Sequence, residues 1–392
     1  MTRVSNRVTT LTGGGSDGWD LYRKSCEMMD RGLPVVQLTL GEHDRKTDPS
    51  ILEAMYRSAL EGYTGYAAIP GTDDLRDRIA ARTERITGVA TTRDNVAVTA
   101  GGQAGLLAAH NIACDPGDTA IYIDPYYATY PGTIRAIGAR AIAVQARAEL
   151  GFQPTRDDLV AAGPARSLLI NSPNNPTGVV YSRQTLDAIA GHVIDQDMWL
   201  ISDEVYDTQI WEGAHLTPRQ IPELEDRTLV VGSLSKSHAM TGSRVGWILG
   251  SEAAIAHAIN LSTHTTYGLP GFLQDAGAFA LGRGPDLEAE ISAPFRHRHA
   301  ALSAIFAARG IGIVPSTATM YLMLDVRPTG LSGEDFADRL LEDHLIAVMP
   351  GESFGQAAAG HIRVALTTDD AALEHAAHQL ADFYETLLRA AA

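Results

Sequence analysis

The chain has 392 residues, of which 45% are apolar and 20% charged, enough for one large domain and a smaller one with a substantial buried core. Its formal net charge of −16 argues against a nucleic-acid-binding surface and gives no support to binding at an anionic membrane. The two cysteines lack metal-ligand spacing, and no apolar run has the length of a signal peptide or a membrane span, so the sequence predicts a cytoplasmic protein without disulfides or zinc.

The N-terminal region is predicted to begin with an arm of about 20 residues that is rich in Gly, Ser and Thr. Such a composition indicates a segment that is mobile or is ordered by a partner subunit. The hydrophobic pattern then predicts a helix over residues 19–29, a turn at Arg31-Gly32 and a short strand over 35–40.

From about residue 90 the chain alternates short apolar runs with helix-like stretches, of which 184–195 is an example. The runs have the length of strands and lie at 96–99, 120–123, 167–170, 199–202, 228–231 and 245–249. Near-continuous apolar strands between helices are typical of a mostly parallel sheet that is covered on both faces. This part of the chain is therefore predicted to be α/β.

After residue 290 the pattern changes. A helix over 294–309 precedes two strand-like runs at 320–326 and 361–366, and an amphipathic helix over 371–389 follows. These elements predict a smaller α+β domain to which the first 40 residues contribute. The predicted division is an N-terminal arm and part of the small domain at 1–43, a large domain at 44–290, and a small C-terminal domain at 291–392.

The first candidate site residue is Lys236, which follows an apolar strand in a turn rich in Ser and Gly. Lysine is normally solvent-exposed, and a buried amine loses its proton more readily and becomes a nucleophile toward aldehydes. The hydroxyls of Ser233 and Ser235 and the guanidinium of Arg244 could hold an anion beside it. Lys236 is therefore a candidate for a Schiff base with a phosphorylated aldehyde, although a surface lysine in a loop is the commoner case.

The second candidate is Asp203, at the carboxyl end of the strand predicted over 199–202. Ligands of open α/β sheets gather at that edge, and a partly buried carboxylate needs a positive partner. A protonated pyridine nitrogen is one such partner. The alternative is that Asp203 or Glu204 caps the following helix.

Two further segments lie at predicted strand ends. Asn171 to Gly178 contains two prolines and a glycine that fix a rigid turn, from which Asn175 could donate its amide to a phenolate oxygen. Gly101-Gly102-Gln103 lies at a strand-to-helix junction, where backbone amides can bind phosphate. Its spacing matches neither the dinucleotide fingerprint nor a P-loop.

In this order and spacing, the four segments resemble the fold-type I, class I/II aminotransferases, in the branch that includes bacterial aspartate and aromatic transaminases. The resemblance extends over the chain from about residue 30. It implies a large domain with a mostly parallel seven-stranded sheet plus a smaller α+β domain. It also implies pyridoxal 5′-phosphate as cofactor, transfer of an amino group from an L-amino acid to a 2-oxo acid, and a homodimer with shared active sites.

The resemblance also implies roles for individual residues. Lys236 would hold the cofactor and move the substrate proton, Asp203 would pair with the pyridine nitrogen, and Asn175 and Tyr206 would bond the ring oxygen. The residues implied around the phosphate are Gly101, Gly102, Gln103, Ser233, Ser235 and Arg244.

Four more residues take their roles from the resemblance. Tyr127 would stack on the cofactor ring, and Tyr66 would reach the phosphate of the neighbouring subunit. Arg363 would grip the substrate α-carboxylate with its fork of donors. The backbone of Gly41, with Asn175, would close over that carboxylate.

Two departures concern the substrate side chain. Aspartate-type members carry a lysine where this chain has Gln103, so a cation for a distal carboxylate is absent. Trp19 and Asp20 fall where the family's N-terminal segment lines the side-chain pocket, and Asp20 would suit a cationic side chain unless it merely caps the first helix. Trp19-Asp20, together with 233–242, 325–332 and 359–363, looks closest to arginine:pyruvate transaminases. The prediction is therefore arginine, or another cationic or neutral donor, with pyruvate as acceptor.

Other functions stay open at this point. Aspartate or aromatic amino acids are alternative donors. The same cofactor and fold also serve β-lyases, decarboxylases and synthases. A non-catalytic ligand sensor is disfavoured, because the chain has no helix-turn-helix extension or basic segment.

Overall fold

The computed structural model describes residues 2–391. Its strands are β1 Val36–Leu38, β2 Val96–Ala100, β3 Thr119–Asp124, β4 Arg140–Gln145, β5 Ser167–Asn171, β6 Trp199–Asp203, β7 Thr228–Ser233, β8 Val245–Leu249, β9 Gly312–Ile313, β10 Tyr321–Asp325, β11 Ile346–Pro350 and β12 His361–Ala365. Its α-helices are α1 Asn6–Thr9, α2 Asp20–Asp30, α3 Pro49–Leu60, α4 Asp73–Thr87, α5 Gly101–Ala113, α6 Tyr130–Ala136, α7 Arg156–Ala161, α8 Arg183–Asp195, α9 Leu234–Ser237, α10 Glu252–Thr263, α11 Gly271–Gly282, α12 Pro285–Ala308, α13 Gly333–His344 and α14 Asp370–Ala391.

Seven strands form the large sheet, in the order β2-β8-β7-β6-β5-β3-β4. Only β8 runs antiparallel to its neighbours, β2 and β7, so the predicted mostly parallel seven-stranded sheet is confirmed. Successive residues of one strand enter different apolar clusters: Val96 and Val98 pack with α4 and α11, whereas Ala97 packs with α5 and α10. Since side chains alternate between the faces of a strand, both faces of the sheet are covered.

The small sheet has five strands in the order β1-β11-β12-β10-β9. β1 pairs in parallel with β11, with Val36 opposite Ile346, so the beginning and the end of the chain share this sheet. Helices α12 and α14 pack on it through a cluster that includes Phe306, Leu322 and Leu380. The sheet supports the prediction that residues 1–43 contribute to the small domain; the domain boundaries themselves stay predictions.

Helix α12 differs from its prediction. It runs over Pro285–Ala308, so it begins before the predicted start at Pro294 and spans the predicted domain boundary at residue 290. Proline is favoured in the first turn of a helix, so Pro294 by itself predicts a helix that begins there. Inside the helix, Pro294 removes one backbone hydrogen bond, and the buried side chains of Leu287, Ile291 and Phe295 hold the helix together around it.

Across residues 2–391, no helix combines the length and the apolar character that crossing a membrane requires.

Candidate active site

The carboxyl ends of the parallel strands lie at one edge of the large sheet, the usual place for ligands in open α/β sheets. β2, β5, β6 and β7 end there at Ala100, Asn171, Asp203 and Ser233. Because β8 runs in the opposite direction, its first residue, Val245, lies opposite Ala100 at the same edge. The segments just beyond these residues therefore come together.

Lys236 lies on the short helix α9, immediately after β7. Its Nζ donates a hydrogen bond to the backbone oxygen of Gly41. Burial lowers the pKa of the Lys236 amine to about 8, although the carboxylate of Glu42 acts in the opposite direction. A larger fraction of this amine than of an ordinary lysine is therefore uncharged near pH 7, and the uncharged form is the nucleophile.

Asp203 is a buried carboxylate at the end of β6. Tyr130 Oη donates to its Oδ2 at 2.8 Å, and the backbone N–H of Val205 donates to its Oδ1 at 3.3 Å. Burial raises the pKa of Asp203 to about 6. Within residues 2–391 no basic side chain forms an ion pair with it, so the carboxylate suits a ligand that brings a positive charge.

The turn after β5 places Asn175 beside Tyr206. Asn171 Nδ2 donates to the backbone oxygen of Asp203 at 2.9 Å, and Asn171 Oδ1 accepts from the backbone N–H of Asn175 at 2.8 Å. Asn175 Nδ2 in turn donates to Tyr206 Oη at 3.3 Å. The turn thus fixes both side chains predicted to bond the ring oxygen.

An anion site lies where β2 joins α5. The first backbone N–H groups of a helix have no intrahelical acceptors, and α5 begins at Gly101 with a φ of +76°. A Cβ on Gly101 would lie 2.3 Å from an Nη of Arg244, so glycine allows the guanidinium to approach the helix start. The hydroxyls of Ser233 and Ser235 lie 2.8 Å apart and line the same cavity as Gly102. These are the predicted phosphate-binding groups.

Arg363 on β12 is buried, with 1% of its surface exposed. Its Nη1 donates to Asn175 Oδ1 at 2.7 Å and its Nη2 to the backbone oxygen of Thr39. The guanidinium lies over the rings of Tyr321 and Phe354, at 4.3 and 4.4 Å from their centroids. Its Nε has no hydrogen-bond partner, and it forms no ion pair with a carboxylate of residues 2–391. A buried cation of this kind fits an anionic ligand.

One cavity of about 290 Å³ brings these groups together. The predicted site residues that line it are Trp19, Gly41, Gly102, Gln103, Tyr127, Asn175, Asp203, Tyr206, Ser233, Ser235, Lys236, Arg244 and Arg363. Sequence reasoning missed Glu42, Tyr130 and Tyr321, which also line it. No sequence pattern marks the two tyrosines, because each meets its partner through a contact between residues distant in the chain.

Three predicted residues lie outside this cavity: Gly101, at the start of α5, and Tyr66 and Asp20. Tyr66 is 92% exposed, with its ring edge-to-face against Tyr267 at 5.1 Å. Asp20 lines a neighbouring cavity of about 1170 Å³, where it pairs with Arg23 and accepts a hydrogen bond from Ser16. Asp20 is thus paired with Arg23, and its predicted contact with the substrate side chain stays a prediction; as the first residue of α2, it has an N-terminal helix position that suits an acidic side chain.

Gln103 lies between two threonines. Its Nε2 donates to Thr133 Oγ1 at 2.6 Å, and its Oε1 accepts from Thr129 Oγ1 at 3.0 Å. Gln103, Trp19 and Arg244 line both the site cavity and the neighbouring larger one, so the two cavities meet there. At this junction the chain presents the neutral amide of Gln103 together with the guanidinium of Arg244.

Comparison with known proteins identifies the family. The family model for aminotransferase class I and II matches residues 34–380 of this chain. The chain is a class I and II aminotransferase. Among its relatives, an arginine–pyruvate transaminase of Pseudomonas aeruginosa is 39% identical to this aminotransferase, over 97% of each chain. An aspartate/prephenate aminotransferase of Thermus thermophilus is 32% identical, over 97% of this chain and 98% of that protein.

Solved structures confirm the fold of the aminotransferase. The Thermus thermophilus aspartate aminotransferase with maleate has a TM-score of 0.91 and 31% identity, covering 98% of this chain and 100% of that one. An aspartate aminotransferase of Thermotoga maritima has a TM-score of 0.90 and 29% identity, covering 97% and 100%. The predicted α/β fold is thus confirmed along nearly the whole aminotransferase.

Proposed function

We propose that this aminotransferase binds pyridoxal 5′-phosphate at the 290 Å³ cavity and transfers the amino group of a cationic L-amino acid, such as arginine, to pyruvate. The observation that carries the proposal is the buried Arg363, which has an unpaired Nε in the same cavity as the Lys236 amine. Such a guanidinium suits the α-carboxylate shared by all amino acids and 2-oxo acids. The substrate's reacting carbon would then lie near an amine that can accept its proton.

The cavity fits the proposed cofactor at each of its polar groups. Gly101, Gly102 and the hydroxyls beyond β7 would hold the phosphate, Asp203 the ring nitrogen and Tyr206 the ring oxygen. When bound, the cofactor supplies an aldehyde for amines and a ring that withdraws electrons. Asp203 would keep the ring nitrogen protonated, because a buried carboxylate is stabilised by an adjacent positive charge.

Lys236 would act on the proton of the substrate. Its amine is tethered to the end of β7 and is within hydrogen-bond reach of the Gly41 backbone oxygen, which therefore orients it. With a pKa of about 8, the amine can both accept and return a proton near neutral pH. Tyr127 and the other walls of the cavity would exclude water from this exchange.

The charge around the cavity supports a cationic donor. The neutral amide of Gln103 provides no partner for a distal carboxylate of the substrate. The cations that line the cavity, Lys236, Arg244 and Arg363, already have other proposed roles. The neighbouring cavity is lined by the carboxylates of Asp17, Asp20, Glu334, Asp338 and Glu352. Asp17 and Asp20 pair with Arg23, and Asp338 pairs with Lys24, so Glu334 and Glu352 are the carboxylates of this lining that have no ion-pair partner among the described residues. Opposite charges attract across such a cleft and like charges repel, which favours arginine over aspartate.

Glu334 is the acidic residue to test. Burial and nearby carboxylates, Glu352 first, raise the pKa of Glu334, and it has no ion-pair partner among the described residues. Asp20, in contrast, is neutralised by Arg23. Glu334, rather than Asp20, is therefore the carboxylate that we propose attracts the cationic side chain of the substrate.

We also propose that the enzyme is a homodimer in which Tyr66 contributes to the neighbouring site. Support comes from large apolar side chains exposed around α3 and the loop after it: Tyr56, Leu60, Tyr63 and Tyr66 are between 57% and 92% exposed. Contiguous exposed apolar surface is typical of an interface between chains. The cytoplasmic location stays a prediction.

The experiment has two parts. Borohydride reduction of the protein with pyridoxal 5′-phosphate should fix the cofactor to Lys236, and peptide mapping that found it on another lysine would contradict the assignment. A panel of amino acids with pyruvate should then give the highest kcat/KM with arginine or lysine. Aspartate as the best donor would contradict the cationic class.

A variant pair separates local from general charge effects. Glu334→Gln should raise KM for arginine about threefold or more, as expected for a lost charge interaction of roughly 0.7 kcal/mol, and leave KM for alanine unchanged. Glu84→Gln removes the same charge from the exposed face of α4 and should change neither value. Equal effects of both variants would show that only net charge matters.

A further inference from the structure

Two buried phenols from different sheets meet in the cavity. Tyr321 begins β10 of the small sheet, and Tyr206 follows β6 of the large sheet. They are 2% and 3% exposed, and their hydroxyl oxygens lie 2.9 Å apart. Burial raises the pKa of Tyr206 well above its ordinary value, so this phenol keeps its proton and stays a hydrogen-bond donor. The direction of the bond between the two phenols decides where that proton points.

Counting donors at Tyr206 gives the direction. A phenol oxygen has one hydrogen to donate and accepts bonds from others. Asn175 Oδ1 accepts from Arg363, so its NH₂ group faces Tyr206 and donates to it. If Tyr206 donated to Tyr321, it would have no hydrogen left for the cofactor ring oxygen. If Tyr321 donates instead, Tyr206 accepts from both neighbours and keeps its own hydrogen free.

We propose that Tyr321 is a positioning residue, whose hydroxyl donates to Tyr206 and so directs the Tyr206 proton to the ring oxygen of the cofactor. The inference rests on the proposed function, since it needs pyridoxal phosphate in the cavity. Tyr321 acts only through Tyr206.

The surroundings of Tyr321 fix its hydroxyl for this role. The Arg363 guanidinium lies 4.3 Å from the Tyr321 ring centroid and holds the ring by a cation–π contact. On the other side, the hydroxyl approaches the backbone so closely that a Cβ on Gly41 would lie 1.7 Å from it. In the described residues, Tyr206 is its only hydrogen-bond partner. The Tyr321 hydroxyl therefore has one acceptor and little room to turn away.

The network also connects the two ends of the site. Arg363 contacts Asn175 and Tyr321, and both of these contact Tyr206. Arg363, which is proposed to bind the substrate carboxylate, thus orients Asn175 and Tyr321. These two residues donate to Tyr206, which is proposed to bond the ring oxygen of the cofactor. A hydrogen-bonded loop of this kind is tested by removing its members singly and together.

The test is a double-mutant cycle of Tyr206→Phe and Tyr321→Phe, read by pH titration of the visible absorbance of the bound cofactor. A donor to the ring oxygen stabilises that oxygen's negative charge and so favours loss of the proton at the Lys236–cofactor linkage. Tyr321→Phe should therefore lower the acid dissociation constant of the linkage about threefold or more, the size expected for weakening one hydrogen bond. In the Tyr206→Phe background it should have no further effect.

The control is Tyr181→Phe, which removes a hydroxyl from another buried tyrosine in a different apolar cluster and should leave the titration unchanged. An unchanged titration in Tyr321→Phe, or an equal shift with and without Tyr206, would overturn the inference alone. A wild-type protein that takes up no pyridoxal phosphate would overturn the proposed function and the inference together. Affinity of the cofactor-free protein for pyridoxal phosphate, measured by fluorescence quenching, should follow the same cycle.

Discussion

Replacing Asp203 by asparagine should stabilise the protein when the cofactor is removed. Burial raises the pKa of Asp203 from 3.8 to about 6, so the folded chain disfavours its charged form. A difference of about two pKa units corresponds to about 3 kcal/mol of unfolding free energy at pH 8. Asparagine is neutral but has one acceptor oxygen fewer, which costs about 1 kcal/mol. The net gain expected for Asp203→Asn is about 2 kcal/mol.

The pH dependence gives the sharper test. Because the folded pKa of Asp203 is raised, its favourable contribution is complete below the unfolded pKa and is lost as pH rises through about 6. The advantage from the neutral side chain should thus be absent below about pH 4, reach about half its size at pH 5, and be complete by about pH 7. The hydrogen bond lost in Asp203→Asn lowers the stability difference by the same amount at every pH, so it does not change the pH dependence.

Urea unfolding of the cofactor-free proteins at pH 5 and pH 8, followed by circular dichroism, measures this advantage. Asp207→Asn is the matched control. Asp207 is also shielded from solvent, but Arg82 contacts it with both Nη groups, and this ion pair holds its pKa below the ordinary value despite burial. That variant should therefore destabilise the protein. With pyridoxal phosphate bound, Asp203→Asn should lose its advantage. A cofactor-free Asp203→Asn protein no more stable at pH 8 than at pH 5, relative to wild type, would refute the reasoning.

Three further predictions concern binding, assembly and stability. Arg363→Ala should lower kcat/KM at least tenfold for every donor alike, because it removes charge-assisted bonds worth about 1.5–3 kcal/mol each; an unchanged value in steady-state assays would assign the α-carboxylate to another residue. Mixing inactive Lys236→Ala with Tyr66→Phe protein should restore activity through hybrid dimers that contain one intact site, and a fully active monomer in sedimentation would contradict shared sites. Arg82→Ala leaves the buried carboxylate of Asp207 without its cation, whereas Glu288 keeps Arg85, and should lower the unfolding free energy by about 3–5 kcal/mol in denaturant titrations; a loss below about 1 kcal/mol would show that water replaces the Arg82 guanidinium.

The sequence predicts the central strands well because each is a nearly continuous apolar run that is buried on both faces. It misses β4, an edge strand whose pattern Arg-Ala-Ile-Ala-Val-Gln places exposed and partly buried residues in alternation. It also misses β11, although Ile346 to Met349 is an apolar run as long as several of those predicted, because only Leu345 separates the run from helix α13. Edge position in β4, and the lack of a turn between helix and strand in β11, explain these failures.

The residues of the site also fall into those that the sequence predicts and those that it misses. Lys236, Asp203 and Asn175 lie just after or at predicted strand ends, so topology alone brings them together. The partners Tyr130 and Tyr321 depend on side-chain contacts across the fold, which no local pattern specifies. Asp20 is a different case. Its neutralisation by Arg23 was visible in the sequence, since residues three apart on a helix lie on the same face.

The pairing of β1 with β11 sets an order of events during synthesis. Val36 leaves the ribosome early but cannot find Ile346 until nearly the whole chain has been made. The large sheet, which is complete once β8 has emerged, can fold before that time, whereas the small sheet must wait. A nascent chain would therefore hold the groups predicted to bind phosphate while still lacking Arg363 on β12. On the proposed function, the cofactor site would thus form before the site for the amino acid.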